Sequence, residues 1–386
     1  MINVIFLGLV SFFTDLSSEM VYPLIPLYLI TRFGATPALV GIIEGIAESV
    51  ASLLKVYSGY LTDRFQKKKL IAFAGYSPGV IYKFALILAG SWVGVLGARV
   101  LDRIGKGIRT APRDVLVSES ADKENMGKAF GIHKALDMSG AALGILITFF
   151  ILSGSSDNID YKRMFLISII PAIFGLCMFI FIKEKKEAHA IKKRELFWEK
   201  FRNIDAQLRL YLVIVFVFTL GNSSNAFIIL KTYDVGFTAT NVILLYFIYN
   251  MTASILSIPF GKLSDRIGRK KLLVPGYFTF SICYLGFAFA SHKWMIVMVF
   301  VLYGVYTAMI AGVERAFVTE ISPPELKGTM LGLHSTVVGV ALLPASIIAG
   351  FLWDFFGANV PFIFGATLSF LAAVVLLLFM KNIRKK

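Results

Sequence analysis

Charge, cysteine and histidine are all scarce in this chain. Only 16% of its 386 residues are Asp, Glu, Lys or Arg, and it has two cysteines and four histidines. So few ionisable groups cannot coat a water-soluble domain of this length when 57% of the residues are hydrophobic and the mean hydropathy is +0.75. Cys177 and Cys283 each lie alone in an apolar run, which excludes a disulfide framework and a cysteine-based zinc site. There is no phosphate-binding loop, no metal-ligand spacing and no nucleophile–His–acid pattern. The expectation is therefore neither an ATPase nor a membrane enzyme, and no cofactor. The first apolar stretch, from Ile2 into Pro23, carries Asp15 and Glu19 and has no small-residue cleavage site, so it reads as a span rather than a removed signal.

Phe (35) and Gly (32) are abundant, as expected of helices in lipid. The net charge of +15 comes from Lys and Arg in short loops between apolar segments. A bilayer accounts for them there, and nucleic acid is not an expected partner. Twelve apolar segments are long enough to span, at roughly 3–30, 37–61, 70–90, 92–116, 126–152, 163–182, 208–231, 238–260, 272–291, 294–318, 328–352 and 359–380. They are too continuous for barrel strands, so the fold class is an all-α membrane protein with 12 transmembrane helices. Loop charge orients it. With both termini in the cytoplasm, the inner side holds Arg64, Lys67–Lys69, the run 183–209, Arg266, Arg269–Lys271 and the basic C-terminal tail. The cytoplasmic membrane is the expected location, with the bilayer as the main partner and the chain a monomer.

A loop motif occurs twice. Gly59-Tyr60-Leu61-Thr62-Asp63-Arg64-Phe65-Gln66-Lys67-Lys68-Lys69-Leu70 is matched by Gly261-Lys262-Leu263-Ser264-Asp265-Arg266-Ile267-Gly268-Arg269-Lys270-Lys271-Leu272. The match extends outside the loop, because Glu119, Gly127, Gly131 and His133 have counterparts in Glu320, Gly328, Gly332 and His334, each 201 residues on. Two six-span copies insert in the same direction, so the pseudo-two-fold axis relating the bundles runs along the membrane normal. The expected domains are an N-terminal bundle (1–182), a cytoplasmic amphipathic linker (183–207) and a C-terminal bundle (208–386).

The repeated motif, the span count and the central loop together resemble the major facilitator superfamily over essentially the whole chain. The stretch from Asp102 to Asp114 is similar to a prokaryotic branch of it. The resemblance implies alternating access by rocking of two bundles around a central site, with Asp63 latching the cytoplasmic side. It also implies a functional arginine in helix four, and both Arg99 and Arg103 fit its setting. Exporters of the superfamily often carry G-x-x-x-G-P in helix five. Here Gly140 and Gly144 are present, and Ile145 stands in place of the proline.

Charges inside a bilayer need a reason, and most of them are in the N-terminal half. In helix four, Arg99, Asp102, Arg103, Lys106, Arg109 and Arg113 fall within about 140° of arc at 100° per residue. Glu44, Glu48 and Lys55 share one face of helix two, Asp15 and Glu19 are a turn apart in helix one, and His133 and Asp137 are a turn apart in helix five. Depth sorts these into two groups. A coupling or substrate cavity would hold Asp15, Glu19, Glu44, Glu48, Arg99, Asp102, Arg103, Lys106 and Asp137, joined by Asn222, Asn225, Tyr246 and Asn250 of the C-terminal half. A cytoplasmic gate would hold Gly59, Asp63, Arg64, Arg109, Arg113, Gly261, Asp265 and Arg266. Glu314 and Arg315 read as a gate-side pair.

A buried acid whose arginine neighbour moves changes its proton affinity, which is what coupling to a proton gradient requires. Asp15 and Glu19 are the first candidates and Glu48 the third. A static ion-pair network would use the same residues. The expectation is a proton-driven secondary transporter of a small molecule. An uncoupled uniporter, or a receptor or scaffold that keeps the fold without transporting, are the alternatives.

Overall fold

The computed structural model describes residues 2–65, 67–121, 126–154, 159–184, 205–323 and 327–380, with side chains for all but 56, 60, 63–65, 126–127 and 327–329. Among the described residues every regular element is helical. Helix α1 (Ile2–Glu19) gives way to a 3-10 turn at Tyr22–Leu24, then to α2 (Ile25–Phe33). Pro23 and Pro26 lack the N–H that would carry a helix through this point. Next come α3 (Pro37–Phe65), α4 (Lys68–Tyr76) and α5 (Pro78–Leu88), the last two separated at Ser77 by Pro78. Helices α6 (Trp92–Glu119), α7 (Met126–Ser153) and α8 (Tyr161–Cys177) complete the first half. Ser91 caps α6 by accepting from the Gly94 amide, and Asp160 caps α8 by accepting from that of Arg163.

The second half begins with α9 (Ala206–Gly221) and α10 (Asn225–Asp234), parted by Asn222–Ser224, as the polar run there predicts. It continues through α11 (Ala239–Ile267), α12 (Arg269–Phe289), α13 (Lys293–Ile310), α14 (Val313–Ile321), α15 (Lys327–Phe356) and α16 (Val360–Phe379). The turn between α11 and α12 is made by Gly268 at φ 98°, a conformation that favours glycine. That explains the glycine at this place in the second loop motif. Its counterpart Gln66 lies outside the described residues, as does most of the expected amphipathic linker, from 185 to 204.

Among the described residues, ten helical stretches are long and apolar enough to cross a membrane. Two more helices, α3 and α6, have 29 and 28 residues and carry charges along their length. Large apolar side chains face outward, among them Leu88, Phe150, Ile180 and Phe355. Water would penalise such a surface, and hydrocarbon does not.

The chain forms two compact units. The first comprises Met1–Ala35, Ile46–Ile191 and Ala239–Phe247, and the second Thr36–Gly45, Lys192–Thr238 and Ile248–Lys386. In the first, α1 lies along α7 so closely that a Cβ at Gly140 or Gly144 would strike the backbone carbonyls of Phe12 and Leu16. The second is built on aromatic contacts, including Phe218 stacked on Tyr277 at 3.9 Å and Phe280 on Tyr284 at 4.0 Å. An ion pair recurs at matching places: Lys68 bonds Glu119 in the first unit, and Arg269 bonds Glu320 at 3.0 Å in the second. Both members of the second pair lie 201 residues after those of the first.

Candidate functional site: a charged helix face and a carboxyl pair

The inward prediction for α6 agrees with its burial. Arg99, Asp102, Arg103 and Arg109 are all buried, Arg113 is half-buried and Lys106 is exposed. A guanidinium at such a place needs compensation, and each has it. Arg103 pairs with Glu48 of α3 at 2.8 Å. Asp102 lies 3.6 Å from Arg99 and 3.8 Å from Arg103. The guanidinium carbons of Arg99 and Arg103 sit 5.2 and 5.5 Å from the centre of the Tyr22 ring, at cation–π distance. Tyr22 in turn meets the Tyr246 ring at 6.1 Å.

Arg109, grouped by sequence with the gate, belongs geometrically to the interior. Its Nη2 is 3.8 Å from Asp15, and its guanidinium stands 4.7 Å from the Tyr76 ring centre. Arg113 pairs with its neighbour Asp114 at 2.8 Å. The carboxyl groups of Asp15 on α1 and Asp137 on α7 lie near one another. A carboxylate only accepts, so a hydrogen bond between them would require one of the two acids to carry a proton. Lys134 approaches Asp137 from the other side at 2.7 Å. His133, one turn away, turns instead to Ser11, with Nε2 to Oγ at 2.9 Å.

Glu19 faces the positive charges of Lys106, Arg103 and Arg99, and its Oε2 is buried with no hydrogen-bond partner among the described residues. Lys106 makes no ion pair among them either. Glu44 is buried, and its segment groups with the second unit, apart from Glu48 one turn on. In the second unit Tyr303 donates to Asn225 at 2.9 Å and Asn222 donates to Tyr306 at 3.2 Å, so both Asn candidates engage tyrosines of α13. Asn250 is half-buried on α11.

Of the gate candidates, the side chains of Asp63 and Arg64 lie outside the described residues. Asp265 is 3.6 Å from Arg269 and, with Arg266, lines a cleft of about 360 Å³ that reaches Glu320. A Cβ on Gly261 would meet nothing within 4 Å, and one on Gly59 only Ala111 at 3.9 Å, so these two glycines are not at tight helix crossings among the described residues. The expected Glu314–Arg315 pair is not formed. Glu314 accepts from Tyr277 at 2.8 Å, and Arg315 is exposed.

Three interior residues went unnoticed in the sequence: Tyr22, Tyr76 and Lys83. Lys83 is fully buried on α5 and donates to the Gly79 carbonyl at 2.6 Å. A lysine inside an apolar run was a usable signal. The tyrosines gave none, since aromatics are common everywhere in the chain.

A chain whose described elements are all helices, ten stretches of them long and apolar enough to span, with charges in the interior, is a multi-pass membrane protein. The sequence pattern of the Major Facilitator Superfamily matches residues 7–228 and 210–386. The chain is 37% identical over 381 residues to an uncharacterized MFS-type transporter of Methanocaldococcus jannaschii, covering 97% of this chain and 94% of the relative. A multi-drug resistance efflux pump of Streptococcus pneumoniae is 28% identical over 132 residues, 34% of this chain and 33% of the pump. The fold resembles the crystal structure of the nucleoside transporter NupG, with a TM-score of 0.81 at 12% identity, covering 98% of this chain and 100% of that one. The protein therefore belongs to the major facilitator superfamily, a family of transporters that bind small molecules.

Proposed function

We propose that this protein is a secondary active transporter that moves a small molecule by alternating access, driven by a proton gradient. The observation that carries the reading is the approach of the Asp15 and Asp137 carboxyls to one another, with Arg109 3.8 Å from Asp15. Two adjacent carboxyls hold one proton between them because both cannot ionise at close range. An arginine that approaches one of them displaces that proton, and one that retreats lets it return. Helices α1, α6 and α7 supply the three groups, so any shift of α6 against the other two changes proton affinity. Glu48, Asp102, Arg99 and Arg103 would hold α3 and α6 together beside this pair, while Glu19 and Lys106 face the substrate.

In this reading α3 and α6 are the eleventh and twelfth spans, charged because they line the interior. The duplicated loops lie in the cytoplasm with both termini, and the protein works as a monomer in the cytoplasmic membrane. Asp63 and Asp265 act as latches of the cytoplasmic gate. The driving force is the proton gradient, and no other cofactor takes part.

The test is uptake or extrusion in proteoliposomes across a panel of small organic substrates, with an imposed pH gradient. Gradient-driven accumulation that a protonophore abolishes supports the proposal. Equilibration without accumulation for every transported compound would establish a uniporter instead.

A further inference from the structure

The two loop motifs are not the only repeated parts. Tyr76 and His133 of the first half have counterparts 201 residues on in Tyr277 and His334, and Arg113 has its counterpart in Glu314. In the first half the pair is satisfied: Ser11 Oγ lies 2.9 Å from His133 Nε2 and 3.2 Å from Tyr76 Oη. The second half keeps the tyrosine and the histidine, places Tyr211 near the position of Ser11, and sets an acid where the first half has an arginine.

The result is a different cluster. Tyr277 donates to Glu314 Oε1 at 2.8 Å, leaving Oε2 directed at His334 Nε2, 3.9 Å away. His334 is 6% exposed, and its Nε2 has no hydrogen-bond partner among the described residues. The Tyr211 ring stacks on the imidazole at 6.4 Å and is fully buried. An imidazole nitrogen left unsatisfied beside a carboxyl is costly unless it serves a proton that comes and goes. The chain is also broken here, since α13 ends at Ile310 and α14 begins at Val313, one residue before Glu314. Interrupted helices at membrane depth are where ion sites are built.

We infer that Glu314 and His334, with Tyr277 and Tyr211, form a second proton-binding site wholly within the second unit. Protonated, Glu314 carries the hydrogen on Oε2. An approach of about 1 Å brings His334 Nε2 to hydrogen-bond distance, and the proton can then pass from oxygen to nitrogen, leaving carboxylate and imidazolium with no other bond changed. The groups facing Glu314 are Tyr277 on α12, His334 on α15, Tyr211 on α9 and Tyr306 on α13. Among the described residues the one formal cation beside it is Arg315 on its own helix, since Arg269 is held by Ala316 and Glu320. The site shares no residue with the Asp15–Asp137 pair, and on the transport reading proposed above it binds a proton of its own.

The experiment is pH-difference infrared spectroscopy of the full-length protein in liposomes, read in the protonated-carboxyl region. Glu314→Gln is expected to lose one titrating carboxyl per protein, and Asp15→Asn to lose a different one. Tyr277→Phe is expected to keep the Glu314 band but shift its frequency, because its donor is gone. A Glu314→Gln spectrum identical to wild type, in protein that melts normally, would overturn the inference. If Glu314→Gln does not fold, an unshifted spectrum in Tyr277→Phe overturns it equally. Loss in Glu314→Gln with none in Asp15→Asn would keep this site and sink the pair in the first half.

Discussion

Asp15→Asn separates proton binding from packing in the proposed coupling pair. An asparagine amide can donate to Asp137 without borrowing a proton, so the α1–α7 contact can stay hydrogen-bonded while the shared proton is lost. Arg109 loses the carboxylate 3.8 Å away, while Lys134 stays 2.7 Å from Asp137. The magnitude follows from the gradient. One pH unit is about 1.4 kcal/mol per proton, so a one-to-one exchange or co-transport sustains about a tenfold concentration ratio at steady state. With the proton site removed, that ratio falls to about one while equilibrative flux persists. The assay is substrate accumulation in proteoliposomes under an imposed gradient of about one unit, alongside substrate-induced thermal stabilisation to show that binding survives. The partner substitution Asp137→Asn should do the same, since the proton belongs to the pair and not to either residue. A full tenfold ratio in both variants would refute the carboxyl-pair reasoning.

Removing Glu48 takes from Arg103, which is 5% exposed, the carboxylate 2.8 Å from its guanidinium. Glu48→Ala should lower stability by about 3 kcal/mol, the lower end for a broken buried pair because Glu48 is itself 28% exposed. Thermal melts in a double-mutant cycle with Arg103→Met should recover much of that loss, and strict additivity would count against the pair. Gly144→Leu places a side chain on the Leu16 carbonyl and should prevent α1 from seating on α7, seen as loss of a monodisperse peak on size exclusion. The same change at Gly261, where a Cβ meets nothing within 4 Å, should leave that peak intact. Asp63→Asn should increase labelling of cavity cysteines from the cytoplasmic side, and unchanged labelling would mean that Asp63 is no latch.

Much of the molecule was legible before any coordinates. Helix is the one structure that lets a single apolar run satisfy its backbone in lipid, so run length marks the ten stretches that are apolar enough to span. The break at Asn222–Ser224 follows from the polar residues there, whereas the break near Pro23 falls inside a stretch, 3–30, that reads as a single span. The inward face of α6 was legible because helical pitch is constant and a row of charges cannot face lipid.

Partnership was not legible, because it depends on which helices are neighbours and at what height. Arg109 looks by depth like a gate residue, yet its reach to Asp15 and Tyr76 depends on how α4 and α6 pack, where a Cβ on Gly75 would strike the Arg109 backbone. Glu314 was expected to pair with Arg315, but adjacent residues on a helix point about 100° apart, and the packing of α12 and α15 gives the acid Tyr277 and His334 instead. The repeat itself divides along the same line. Its existence is written in residues 201 apart, whereas the contrast between a satisfied histidine in one half and an acid-facing one in the other emerges only when the helices are assembled. Hydropathy and periodicity are properties of single segments and survive in the sequence. Side-chain partnership is a property of segments distant in the chain, and only the packed helices decide it.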